Sequence, residues 1–159
     1  MKTKHGLAIL LALIITPFAA IAQAFAPKGC DAMNIQGSHE DTITRTAEGA
    51  IAAHLLVANG TTAGTQFKLC TAALRPIATA YDDIADGAKG GFELLLGGPT
   101  RLVIASKAIA AGVRVYATAG GKVTDAVVTG AYLVGESLTA GTADGSEMEI
   151  MPLSPVVNP

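Results

Sequence analysis

The sequence predicts an all-β domain: a small barrel or sandwich of short strands, built from two similar halves. Three observations predict it. Glycines interrupt the chain at short intervals from Gly49 to Gly145. Between them lie short apolar stretches rich in β-branched residues, the pattern of brief strands joined by tight turns. A group of short motifs also recurs in the same order in both halves of the chain.

The elements follow in order. Residues 1–33 are excluded from the fold. Lys2 and Lys4 precede an apolar run from Leu7 to Ile15, and Ala20-Ile21-Ala22 or Ala22-Gln23-Ala24 supplies the small residues of a cleavage site. That is the make-up of a secretory signal peptide, in a run too short for a confident membrane span. A second reading places the true start at Met33, where the composition turns from apolar to polar. Residues 34–48 are polar and without a strong period. They are expected to form an extended arm that orders on a partner by adding a strand to an exposed sheet edge.

The β domain is expected over 49–153, with halves at about 49–98 and 107–153. Ala50-Ile51-Ala52-Ala53 recurs as Ala108-Ile109-Ala110-Ala111, an offset of 58 residues, and Asp86-Gly87 recurs as Asp144-Gly145 at the same offset. Phe92-Glu93-Leu94 matches Met148-Glu149-Ile150 at an offset of 56. Each half reads as a turn, a strand, a hairpin, a strand, an Asp-Gly turn and a last strand. Halves of this size are not expected to close a core separately, so the two pack together. Strands are predicted at 91–96, 101–105, 114–118, 132–138 and 147–151. Alternation is clearest in Val113-Arg114-Val115-Tyr116 and Glu147-Met148-Glu149-Ile150, where one face is apolar and the other polar. Ala119-Gly120-Gly121-Lys122 reads as a hairpin turn. Pro76 breaks the alanine-rich stretch 71–80 into a loop followed by a strand. Residues 154–159 are read as an extended, proline-rich tail.

Composition narrows the function. Half of the 159 residues are apolar, 4% are aromatic and 15% are charged, against about a quarter charged in ordinary domains. Low charge with many small residues suits a protein that covers much of its surface in an assembly. The net charge is −2 and no basic run occurs, which gives no case for nucleic acid as a partner.

No catalytic, cofactor-binding or metal residue is assigned. His39-Glu40-Asp41 is the densest polar cluster, but a metal centre needs further ligands at defined spacing, and His54 is the remaining histidine of the body. Asp82, Asp83 and Asp86 lack the alternating oxygen ligands and closing glutamate of a calcium loop, so they read as a turn before Gly87. Ser106-Lys107 and Ser137 have no nucleophile elbow or Ser-x-x-Lys around them, and no glycine-rich segment matches a phosphate loop. Cys30 and Cys70 have two readings: a disulfide in an oxidising compartment, or Cys70 as a small buried apolar residue.

Six motifs follow one another along the chain: Ile43-Thr44-Arg45-Thr46-Ala47, Gly49-Ala50-Ile51-Ala52-Ala53, Ser106-Lys107-Ala108-Ile109-Ala110-Ala111-Gly112-Val113-Arg114-Val115-Tyr116, Gly120-Gly121-Lys122-Val123-Thr124, Tyr132-Leu133-Val134-Gly135 and Ala143-Asp144-Gly145. In this order they resemble the capsid cement (head decoration) proteins of tailed bacteriophages and prophages. Each is short; order and spacing carry the resemblance, which spans residues 43–153.

The resemblance implies a compact β-tulip-like fold and a non-enzymatic virion protein without cofactor. Such a protein sits on the exterior of the expanded capsid, often as a homotrimer, and clamps neighbouring major capsid protein subunits. It also implies synthesis in the host cytoplasm and no membrane partner in the mature form. Ile43, Thr44, Arg45 and Thr46 are the expected capsid contacts. The hydrophobic segment before Met33 is foreign to the family pattern. Taken at face value, it points to a different class, a secreted or periplasmic β-rich surface or adhesin-like module.

Overall fold

The computed structural model describes residues 41–96 and 99–159. The leader-like segment, arm residues 34–40 and Cys30 lie outside them. The fold is all-β, with ten strands and a single 3-10 turn among the described residues. The first half comprises β1 (Thr42–Ala47), β2 (Leu56–Asn59), β3 (Gln66–Leu69), β4 (Ala78–Ala80) and β5 (Lys89–Leu94). These close into a barrel in the order β1-β3-β2-β4-β5. The second half comprises β6 (Arg101–Ile104), β7 (Arg114–Ala117), β8 (Val123–Thr124), β9 (Tyr132–Ser137) and β10 (Glu147–Val157). These form a five-stranded sheet in the order β6-β10-β9-β7-β8.

The halves repeat each other strand for strand. β1 pairs with β3 in parallel through Ala47 and Phe67, and a parallel bridge joins Ala105 to Val123 at the same place in the second half. The two Ala-Ile-Ala-Ala turns make matching antiparallel bridges, Ile51 to Ile84 and Ile109 to Gly141. Ile43 pairs with Phe92 and Arg101 with Ile150, so the offset of 58 holds across both outer strands. Phe92 therefore corresponds to Ile150, and the expected match of Phe92 to Met148 is two residues out of register. A slip of two keeps the same side chains facing inward, so alternation alone did not expose it. Each half also begins one strand earlier than expected, at β1 and β6.

The strands expected at 101–105, 114–118 and 132–138 form within a residue of their predicted ends. Ala119–Gly121 makes a 3-10 turn between β7 and β8, and the stretch after Pro76 enters β4. The tail needs correction. β10 runs on to Val157 and pairs with β9 at Pro152, Val156 and Val157, with a bulge between Pro152 and Val156. Pro152 lies beyond the last pair with β6, Ile150 with Arg101, where proline costs the ladder little.

Two cores result. Ile51, Val57, Phe67, Ala78, Ile84 and Phe92 fill the barrel of the first half, with Phe67 and Phe92 edge to face at 5.0 Å. The second core combines Val103, Val115, Val134, Met148 and Ile150 of the second sheet with Leu56, Ala58, Cys70 and Leu95 of the first half. The first half thus closes a barrel on its own strands, contrary to expectation, while the second is completed by its neighbour.

Candidate functional site

The expected contact residues Ile43, Thr44, Arg45 and Thr46 lie together on β1, but alternation splits them. Ile43 packs on the barrel core, and Arg45, two residues on, shares its parity. Arg45 Nη1 donates to the Thr44 carbonyl at 2.8 Å, while its Nε is buried without a hydrogen-bond partner. Thr44 is exposed and Thr46 half-buried. Residues 42–46 pair with β5 along their length, and Thr46 N–H donates to the Thr65 carbonyl at 3.1 Å. Residues 42–47 are therefore a barrel strand and not a free arm.

Several of the polar residues considered from sequence take up structural posts. Asp83 Oδ1 accepts from Ala53 N–H at 2.9 Å and Asp86 Oδ1 from Gly49 N–H at 2.8 Å, tying the Asp-Gly turn to the first Ala-Ile-Ala-Ala turn. In the second half Ser137, at the end of β9, holds the second Ala-Ile-Ala-Ala turn: its Oγ accepts from Val113 N–H at 3.0 Å and donates to the Ala110 carbonyl at 2.8 Å. Lys107 pairs with Asp125 and Lys122 with Asp144, each at 2.6 Å. His54 Nε2 lies 3.9 Å from Glu147. Among the described residues no three His, Cys, Asp or Glu side chains gather as metal ligands.

Two other groups are buried, and sequence reasoning assigned no role to the first. Arg101, 4% exposed, bonds the carbonyls of Leu94, Pro99 and Thr100, and lies 3.6 Å from Asp41 Oδ2. It fastens the start of β1 to the link between the halves. Cys70 is fully buried in the shared core and its thiol donates to the Leu74 carbonyl at 3.1 Å. Burial pushes the thiol up to about 12. That matches the reading of Cys70 as a small buried residue; Cys30 lies outside the described residues.

What the surface offers is apolar area. Leu102, Leu138 and Met151 are exposed on or beside the second sheet. Val127 and Val128, in the loop between β8 and β9, are exposed, as are Val156 and Val157 at the end of β10. Asn158 holds these two segments together, donating from its backbone to Ala131 at 2.8 Å and from Nδ2 to Val128 at 3.3 Å. An apolar cleft of about 490 Å³ lies on the first half, lined by Ala58, Leu74, Pro76, Ile77, Leu94 and Leu96 among others. Exposed clusters of this kind mark contact surfaces.

The model of the phage cement protein family matches residues 35–152, which include all of β1 to β9 and the first six residues of β10. The chain belongs to the phage cement protein family. A comparison with curated proteins finds no match. The fold is similar to a solved structure, the head fiber gp8.5 N base of bacteriophage phi29, with a TM-score of 0.61 at 14% identity over 73% of this chain and 96% of that one. At that identity the likeness concerns the fold. Membership of the cement family gives the chain a capsid-associated structural role and a place in the virion.

Proposed function

We propose that this protein binds the outer surface of an expanded phage capsid and stabilises the contacts between major capsid protein subunits, acting as a homotrimer made in the host cytoplasm. The observation that carries this reading is the family match over residues 35–152, nearly all of the β domain. The surface supports it: the exposed apolar groups are spread over several strands and loops, as binding by area requires, and Asp83, Asp86, Ser137 and Lys107 are spent on turns and ion pairs. A decoration protein binds in many copies, so modest affinity per copy is multiplied by neighbouring contacts.

Cosedimentation with capsids of the parent virus, before and after expansion, tests the proposal. Binding confined to expanded capsids, together with a higher temperature of capsid disruption, is the expected result. Equal binding to both forms, or no gain in capsid stability, contradicts it.

A further inference from the structure

The repeat supplies an internal control on the outer face of the second sheet. The pairing Ile43–Phe92 in one half and Arg101–Ile150 in the other places Leu102 where the first half has Thr44, and Met151 where it has Glu93. Leu138 takes the place of Tyr81: Leu138 N–H donates to the Glu149 carbonyl at 2.8 Å as Tyr81 N–H donates to Gly91 at 3.0 Å. The fold accepts a hydroxyl, a carboxylate and a phenol at these three places in the first half. In the second half they are apolar and 40%, 45% and 45% exposed for Leu102, Leu138 and Met151. The first half shows that packing within the chain does not demand this.

The three are neighbours. Leu102 pairs with Glu149 on β10, and Glu149 lies beside Leu138. Met151, one outward position further along β10, pairs with Glu136 on β9. Thr100 donates its hydroxyl to the Glu149 carboxylate, which fixes that charge between the apolar groups. Glu147 shares the outward parity of Glu149 and Met151. Arg114, opposite Glu136, is the cation of these rows among the described residues. The face is thus an apolar group of three side chains around the tethered Glu149 carboxylate, with Glu147, Glu136 and the Arg114 guanidinium at its edges.

We infer that this face of the second sheet is the surface that docks on the capsid, and that it meets an apolar ridge flanked by lysine or arginine on the capsid protein. The inference rests on the capsid-binding reading and says which surface performs it. Apolar contact supplies the affinity and the carboxylates select a basic rim. Leu102 and Met151 are exposed, so replacing them leaves the cores intact.

The test uses the full-length protein and expanded capsids of the parent virus, cosedimented at low and high salt. L102S/M151S is expected to weaken binding by roughly tenfold or more with unchanged thermal unfolding. The repeat-related variant E93Q is expected to bind as the wild type does. E136Q/E149Q is expected to bind with less dependence on salt. Wild-type protein that fails to sediment with capsids removes the functional reading itself. If the wild type binds and L102S/M151S binds equally well, the inference about the face is overturned and the reading stands. Loss of binding in V127S/V128S alone moves the contact to the valine cluster and overturns it too. If L102S/M151S loses self-association in sedimentation velocity but keeps capsid binding, the face joins copies of this chain, and the inference again fails.

Discussion

His54 has a backbone φ of 61°, and its counterpart in the second half, Gly112, has 77°. The turn after Ala-Ile-Ala-Ala therefore demands the left-handed region in both halves, and glycine answers that demand in only one. A non-glycine residue there costs about 1 kcal/mol, and His54 also buries Nδ1 without a hydrogen-bond partner. H54G is expected to stabilise the protein by about 0.5–1 kcal/mol once the looser unfolded chain is counted. G112A is expected to destabilise it by about 1 kcal/mol or more. Urea unfolding of both variants measures this. Cys70 yields a second residue-scale prediction. Its folded pKa of about 12 lies above the ordinary 9.0, so the unfolded chain releases the thiol proton first as pH rises. The stability is fully present below pH 9 and falls between 9 and 12, by at most about 1.4 kcal/mol per pH unit. Cys70→Ala should remove that part of the alkaline loss. In the native protein at pH 8, Cys70 should react with a thiol reagent only at the unfolding rate.

At the scale of elements, β9 and β10 are held closer than any side chain at position 135 permits. A Cβ on Gly135 would collide with the backbone of Met151 and Pro152. Gly91, on β5, has room: its nearest contacts would be ordinary ones, at 3.7 and 3.8 Å. G135A is expected to cost about 1–3 kcal/mol by forcing the strands apart, while G91A stays within about 0.5 kcal/mol of the wild type. Thermal unfolding of the pair separates a backbone collision from a general dislike of alanine. Deleting residues 152–159 should also lower stability, because Val156 and Val157 pair with Leu133 and Tyr132; an unchanged melting temperature would restore the picture of a loose tail. These elements also mark how far the sequence could be read. β6, β7 and β9 were legible because each is a short apolar run with β-branched residues, bounded by glycine or polar turns. β1 was not: Arg45 stands at an inward-facing position where the second half has Val103, and it broke the alternation of Ile43 and Ala47. The end of β10 was hidden by Pro152 and Pro155, which occupy its bulged, one-sided stretch. The expected contact residues were legible as neighbours on one segment. Their split between inside and outside needed the β1–β5 register. The apolar face of Leu102, Leu138 and Met151 was invisible because its members come from three separate strands or strand ends.

For the whole molecule, the two similar halves have unequal independence. The first wraps five strands into a closed barrel around Ile51, Val57, Phe67 and Phe92. In the second, the parallel seam is reduced to one bridge, Ala105 to Val123. Leu56, Ala58, Cys70 and Leu95 of the first half close over its inner face, and Gly121 N–H donates to the Cys70 carbonyl at 2.9 Å across the junction. Removing the first half would expose an apolar sheet face that the second half has no other means of covering. A domain of about 60 residues is marginal even with a complete core, so the two fragments should behave differently. Residues 35–98 are expected to keep β-type circular dichroism and dispersed amide proton resonances, with low stability. Residues 99–159 alone are expected to be unfolded or aggregated, and to gain structure when mixed with the first fragment. Leu56→Ala in the intact chain should cost about 2–5 kcal/mol and reduce amide protection in β7, β9 and β10 as well as in β2. Protection lost from the first barrel alone would mean that the second core stands without it.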